Sequence, residues 1–203
     1  MKMKRKFACI LLALSMTAAF AACGGSAAPA SSAPESQTQV EGLKEAFAEQ
    51  PILLTSVGQS ADVEMVKVMV EKNALTYTMK TLATPDDIGD SKTLMLAIGG
   101  SSKGLGAAGI DADQELDRVK KLIAAADEKG LSIIALHIGG EARRGELSDK
   151  FIAPSFEKAD YAIVVKDGDK DGLMAGLASG AGIPMDVVTS MGDVIAPLKA
   201  AFK

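Results

Sequence analysis

The sequence predicts an α/β fold in which an open, mostly parallel sheet of five or six strands carries helices on both faces, making three layers. Three observations predict it. Short apolar runs recur from Ile52 to the C-terminal end of the chain. These runs are continuous rather than alternating, which indicates strands covered on both faces. Segments with helical periodicity separate the runs, and strand–helix alternation favours a parallel sheet with right-handed crossovers.

The apolar runs predict the strands in order, and the second is the weakest because its apolar residues only alternate. The predicted strands are residues 52–57, 75–82, 93–98, 131–138, 161–165 and 185–189. The predicted helices are residues 61–73, 112–129, 170–181 and 192–202, with a further short helix over residues 40–49. The helix over 112–129 has the clearest start, since Asp111 and Gln114 form a capping pair, and we expect Arg118 to face outward.

The first residues are typical of a secretory signal. Four basic residues in positions 2–6 precede an apolar stretch over residues 7–22, which is too short to span a bilayer. Ala21-Ala22-Cys23 followed by Gly24 resembles a bacterial lipobox, although an ordinary signal with a chance cysteine remains the alternative. We therefore expect a signal peptide over residues 1–22, a lipidated Cys23 beginning a flexible linker to residue 49, and one domain over residues 50–203.

That processing would place the domain on the extracytoplasmic face of a bacterial membrane, anchored through Cys23. Removing residues 1–22 removes four positive charges and no negative ones, so the net charge falls from −4 to −8. An acidic protein of this kind is not expected to bind nucleic acid. The single histidine excludes a multi-histidine metal site. No free thiol would remain for a disulfide or a thiolate nucleophile.

Three loops rich in glycine and polar residues carry the candidate binding site, because each follows a predicted strand. They are residues 56–60, 99–106 and 137–145. Ligands of open parallel sheets lie beyond the carboxyl ends of the strands, near the point where the strand order reverses. Glycine lets backbone N–H groups approach an anion, and basic side chains add positive charge. We expect a small anionic ligand bound by Ser56, Gly58, Gln59, Ser60, Gly99, Gly100, Ser101, Ser102, Lys103, Gly104, His137, Gly139, Gly140, Arg143 and Arg144.

Two alternatives for this edge involve catalysis or a partner protein. A hydrolase-type enzyme would use His137 and Glu141 with a loop serine, although no Gly-x-Ser-x-Gly elbow is present. A structural lipoprotein would bind only a protein partner, whose identity the sequence does not indicate.

Two cofactor motifs are incomplete. Gly104, Gly106 and Gly109 have the spacing of a dinucleotide fingerprint, but they follow the third strand and no Tyr-x-x-x-Lys pair accompanies them. Asp167, Asp169 and Asp171 match the first half of a calcium loop, but the twelfth position is Ala178 rather than glutamate. We therefore interpret residues 167–172 as an acidic turn, with calcium as the weaker alternative.

Residues 55–60 (TSVGQS) resemble the phosphate loop of flavodoxins and follow a first strand, as in that family. The resemblance implies a flavodoxin-like or Rossmann-like domain, with flavin as a possible cofactor. Val57 replaces a hydroxyl residue, the chain has no tryptophan, and Asp62 places a negative charge beside the phosphate position. Flavin is therefore kept only as an alternative.

From Pro51 onward the chain resembles a family of bacterial lipoproteins whose domain has no known function. The resemblance is carried by PILLTS with GQS in residues 51–60, GGSSKGLGAAGID in residues 99–111, and HIGGEARRG with LSDK in residues 137–150. It covers about three quarters of the chain and implies no particular activity.

Overall fold

The computed structural model describes residues 40–203. The predicted signal peptide, Cys23 and most of the predicted linker lie outside these residues, and so they stay predictions. None of the helices in residues 40–203 has the length and apolar composition of a membrane span.

The predicted parallel α/β architecture is confirmed. Six strands form one sheet in the order β2-β1-β3-β4-β5-β6, and every neighbouring pair is parallel. This order contains the flavodoxin-like arrangement 2-1-3-4-5 with β6 added at one edge, rather than the Rossmann order. The strands are β1 (Ile52–Val57), β2 (Tyr77–Met79), β3 (Thr93–Ile98), β4 (Ser132–His137), β5 (Tyr161–Val165) and β6 (Met185–Val188).

Helices cover both faces of the sheet. One buried cluster joins α3, α4 and α5 to the sheet, and a second joins α1 and α6 to the opposite face. All residues of β1, β3 and β5 are buried, which accounts for their continuous apolar sequences. The helices are α1 (Asp62–Lys72), α2 (Ser102–Ala108), α3 (Ala112–Glu128), α4 (Glu146–Phe156), α5 (Leu173–Ala181) and α6 (Ile195–Ala200).

Two helices, α2 and α4, are absent from the sequence prediction. The expected loop over residues 99–106 ends at Ser101, whose hydroxyl caps α2 by accepting a hydrogen bond from the Gly104 N–H at 3.0 Å. Its glycines conceal the helix, because glycine has a low helix propensity, while buried Leu105 anchors it to the core. Helix α4 contains Pro154, which masks the helical pattern of its buried Phe151 and Ile152.

Residues 40–49 form an extended strap rather than the expected helix. The Met185 N–H donates to the Glu41 carbonyl at 2.9 Å, and the Leu43 N–H donates to the Asp186 carboxylate at 3.1 Å. Ala48 is fully buried in the second cluster. The folded domain therefore begins by Val40, and this part of the chain was wrongly included in the flexible linker.

Gly104 and Gly106 make a matched pair for testing the packing of α2. A Cβ atom at Gly104 would overlap the Gln59 carbonyl oxygen, whereas one at Gly106 would meet open space. We expect Gly104→Ala to lower the free energy of unfolding by about 1–3 kcal/mol through overpacking. Gly106→Ala should raise it by about 0.5–1 kcal/mol, because alanine is the better helix former. Chemical denaturation measures both, and equal effects would contradict the close approach of α2 to Gln59.

Candidate functional site

The strand order reverses between β1 and β3, and the three predicted loops meet at this point on the carboxyl edge of the sheet. We call them the β1 loop (residues 58–61), the β3 loop (99–101) and the β4 loop (139–145). The Gly99 N–H donates to the Val57 carbonyl at 2.9 Å, and the Ser101 N–H donates to the Gly58 carbonyl at 2.8 Å. The β4 loop contacts the start of α1, directly after the β1 loop, through Arg143, which pairs with Asp62 at 3.0 Å. Segments distant in sequence are therefore neighbours here.

Protein atoms fill the space between these loops. A Cβ atom at Gly58 would lie 2.8 Å from the Phe151 ring, and one at Gly100 would lie 2.8 Å from the Ser148 nitrogen. The Gly100 N–H donates to the Ser148 hydroxyl at 3.0 Å. These glycines thus allow the loops to pack closely on α4. A ligand at this edge would contact its outer surface rather than enter between the loops.

The fully buried Glu115 carboxylate of α3 lies at the carboxyl end of β1. Its Oε1 atom accepts hydrogen bonds at 2.9 Å from both the Gly58 N–H and the Gln59 side-chain amide. Arg118 donates to both carboxylate oxygens at 2.7 Å, so the pair is bidentate. The carboxylate therefore has four donors, which is what a charge in this environment requires.

Arg118 also binds two backbone carbonyls, and the expectation that it faces outward is wrong. It donates to the Ser56 carbonyl at 2.6 Å and to the Ala83 carbonyl at 2.7 Å, and its side chain is 11% exposed. The sequence contains a signal for this pair: Glu115 and Arg118 are three residues apart on the helix face that includes buried Val119 and Leu122.

Arg143 is the predicted binding residue whose guanidinium is held in place but not enclosed. Its Nε–H donates to the buried Asp62 carboxylate at 3.0 Å, and its side chain is 31% exposed. In the part of the chain that the structure describes, no second carboxylate contacts this guanidinium. Lys103, in the first turn of α2, is exposed and forms no ion pair with an acid in residues 40–203. We call Arg143 and Lys103 the rim.

Each nitrogen of the Arg144 guanidinium donates to a protein acceptor. It donates to the carboxylates of Asp149 and Asp171 at 2.7–3.2 Å and to the Gly168 carbonyl at 2.7 Å. These contacts lower the pKa of Asp171 to about 2 and raise the pKa of Arg144. The geometry gives Arg144 a role in joining the β4 loop to the turn that precedes α5.

His137 lies at the end of β4 and is fully buried. Its Nε2 atom is 2.9 Å from the Arg143 carbonyl, which can only accept, so Nε2 carries the proton of the neutral ring. Its Nδ1 atom is buried, has no hydrogen-bond partner within residues 40–203, and lies against Gly168. Burial lowers the pKa of the imidazole. The histidine thus supports the β4 loop, and in the part of the chain that the structure describes neither ring nitrogen bonds to a serine or a carboxylate.

The candidates Ser56, Ser60 and Glu141 also have protein partners. The Ser56 hydroxyl is buried and faces the Ser60 carbonyl at 3.5 Å, and the Ser60 hydroxyl accepts from the Asp62 N–H at 3.3 Å. Glu141 is exposed and pairs with Lys170 at 2.7 Å. Ser102 is exposed at the start of α2, while Gly139 and Gly140 support the β4 loop.

The three carboxylates of the partial calcium motif face different partners. Asp169 accepts from the N–H groups of Met174 and Ala175 at the start of α5, and Asp171 pairs with Arg144. Asp167 lies 3.9 Å from Lys170. Among residues 40–203 there is no group of three or more His, Cys, Asp or Glu residues placed to hold a metal ion.

A separate open groove of about 540 Å³ lies between α3, α4 and α5. Phe156, Leu177, Gly176 and Gly180 contribute to its walls, with Lys120 and Glu157 at its margin. It includes none of the predicted site residues.

A family model covers most of the chain, including the three loops. Residues 49–202, about three quarters of the chain, match the model described as a domain of unknown function (DUF6305). The chain belongs to this family. No curated protein and no solved structure matches the chain.

Removing the Glu115 carboxylate tests whether it holds the β1 loop. We expect Glu115→Ala to lower the free energy of unfolding by about 3–5 kcal/mol, because Arg118 and the Gly58 N–H lose a buried partner. Asp117→Ala, on the same helix, is the control. It removes an exposed pair with Lys121 and should change stability by less than about 1 kcal/mol. Similar losses in the two variants, measured by urea denaturation, would contradict the assignment.

The burial of His137 predicts a pH dependence that can be assigned to one residue, because the chain has no other histidine. The folded protein disfavours the imidazolium, so the unfolded state binds more protons as the pH falls below about 6.5. Stability is therefore full above that value and is lost as the pH falls toward the lower folded pKa. The slope reaches at most about 1.4 kcal/mol per pH unit for one proton.

His137→Gln provides the comparison, since glutamine can still donate to the Arg143 carbonyl but does not titrate. Unfolding free energies measured between about pH 5 and pH 7 should show a smaller slope in the variant than in the wild type. Parallel curves would show that His137 is not buried in its neutral form.

Proposed function

We propose that this DUF6305 domain is a lipid-anchored, extracytoplasmic binding module that holds a small anionic ligand at the rim, on the carboxyl edge of its sheet. The observation that carries the proposal is the state of Arg143. A buried carboxylate, Asp62, fixes the Nε side of its guanidinium, while about a third of the side chain is exposed.

The orientation of Arg143 favours recognition of a planar anion. A guanidinium presents several N–H donors in a rigid fork, and a carboxylate or phosphate accepts two of them side by side. Because Asp62 already restricts the side chain, less rotamer entropy is lost when an anion binds. Because Asp62 and Arg143 neutralise each other, Lys103 supplies the net positive charge of the rim.

Lys103 lies at the same carboxyl edge of the sheet as Arg143. It follows β3, whereas Arg143 follows β4, and β3 and β4 are paired in the sheet. Exposed Ser102 and half-buried Ser101 lie next to Lys103 in the chain, and their hydroxyls offer neutral hydrogen-bond donors, although the Ser101 oxygen also caps α2. The side-chain amide of nearby Gln59 already donates to the Thr81 carbonyl and to Glu115. Arg144, His137 and the loop glycines are assigned supporting roles in this proposal.

A hydrolase is less well supported than a binding module. A histidine base needs a nucleophile within hydrogen-bond reach and a group that orients the ring. His137 instead bonds a backbone carbonyl, and its other nitrogen has no partner in residues 40–203.

Titration with acetate, succinate, sulfate and phosphate, followed by calorimetry and by thermal shift, tests the rim. We expect Arg143→Lys to weaken binding of the best anion tenfold or more, corresponding to about 1.4 kcal/mol. Lys103→Gln should weaken binding and reduce its salt dependence. Lys129→Gln, which removes an exposed charge beyond the C-terminal end of α3, is the control and should bind as the wild type does.

Two results would overturn the proposal. One is the absence of binding by any of the anions at low ionic strength. The other is equal binding by the wild type, Arg143→Lys and Lys103→Gln.

A further inference from the structure

We propose that the Glu115 carboxylate is a built-in anion that occupies the phosphate-binding position of the β1 loop and makes the domain reject phosphate monoesters there, flavin mononucleotide included. The part of this inference that directs ligands to Arg143 and Lys103 rests on the proposed function. The occupancy of the β1 loop by Glu115 stands independently of it.

The geometry around Glu115 is that of an anion site with its anion in place. One backbone N–H, from Gly58, one side-chain amide, from Gln59, and a bidentate guanidinium, from Arg118, converge on a single carboxylate at 2.7–2.9 Å. Backbone N–H groups and arginine forks are the donors that proteins use for phosphate. Here they all end on a side chain of the protein itself.

The N–H groups of the neighbouring β3 loop are not available to a phosphate either. Those of Gly99 and Ser101 donate to backbone carbonyls at the end of β1 and in the β1 loop, and that of Gly100 donates to the Ser148 hydroxyl. The Gly104 N–H donates to the Ser101 hydroxyl. The glycines of the β3 loop therefore serve packing and hydrogen bonding within the protein.

The charge at this position also opposes a phosphate. Glu115 is neutralised by Arg118, and Asp62 is neutralised by Arg143, so the β1 loop has no unbalanced positive charge. A phosphate monoester bringing about two negative charges would have to displace a buried carboxylate from its arginine. The residues around the β1 loop therefore do not fit flavin mononucleotide, despite the flavodoxin-like strand order.

Chemical rescue of Glu115→Ala tests the inference. The truncation should leave Gly58, Gln59 and Arg118 facing a vacant position that acetate, propionate or inorganic phosphate can enter. We expect these anions to raise the melting temperature of Glu115→Ala in a saturable manner, relative to chloride at the same ionic strength. The wild type and Glu115→Gln, in which a side chain still fills the position, should show no such rise from this site.

The rescue is distinguished from binding at the rim by adding Arg143→Lys to Glu115→Ala. Rescue should persist in the double variant, whereas binding at the rim should weaken. A folded Glu115→Ala protein that none of the three anions stabilises beyond chloride would overturn the inference, even if the rim binds anions as proposed.

Two further measurements apply if Glu115→Ala does not fold in chloride. Recovery of folded protein on refolding in propionate or phosphate supports the inference, and failure in all of these salts contradicts it. In the double variant Arg143→Lys/Lys103→Gln, in which binding at the rim is weakened, the Gly58 amide resonance should not respond to inorganic phosphate, and flavin mononucleotide fluorescence should not be quenched. A saturable response of either signal would show that the β1 loop accepts phosphate.

Discussion

The bidentate contact between Glu115 and Arg118 is the interaction on which the arrangement of the carboxyl edge depends. The pair is carried by α3, yet it bonds the N–H of Gly58, the carbonyl of Ser56 and the carbonyl of Ala83. It thereby connects the end of β1, the segment after β2 and the helix that follows β3. Two charges taken out of water are stable only if nearly all their hydrogen-bonding capacity is used, which constrains all three segments at once.

The other two arginines of this edge, Arg143 and Arg144, are also paired with carboxylates, but their guanidinium groups differ in how fully they are enclosed. Arg144 is held by two carboxylates and a carbonyl and links the β4 loop to the turn before α5. Arg143 has one buried partner and an open side. A loop system that the sequence presents as a basic ligand cradle is thus largely an internal network of ion pairs. The network is incomplete at Arg143 and Lys103, which is why the proposed anion site is placed there.

The sheet was predictable because strands buried on both faces leave continuous apolar sequences. β3 and β5 have the predicted bounds, and the capping pair of Asp111 and Gln114 marks the start of α3 as expected. Helix α2 was not predicted because its two glycines have low helix propensity, and only the structure shows that Gly104 is needed for the close contact with Gln59. The strap over residues 40–49 is a related case, since long-range bonds to Met185 and Asp186 override its helical pattern.

The convergence of the three loops was also predictable, but the contacts of their residues were not. The carboxyl ends of parallel strands must meet at one edge, so the convergence of the three loops follows from the architecture. Whether Arg143 or Arg144 is enclosed depends on carboxylates distant in sequence, Asp62 and Asp171, that only the fold brings close. Helical periodicity does place Glu115 and Arg118 on the buried face of α3, but it does not reveal the backbone partners that they bind there.

A crystal structure of the protein grown from high concentrations of sulfate or malonate would show which anion occupies the Gly58 N–H. We expect the Glu115 carboxylate to remain within hydrogen-bond distance of the Gly58 nitrogen and the Arg118 guanidinium, and a bound anion to contact the outer side of Arg143. Density for an anion on the Gly58 nitrogen, with Glu115 turned away into solvent, would contradict this expectation.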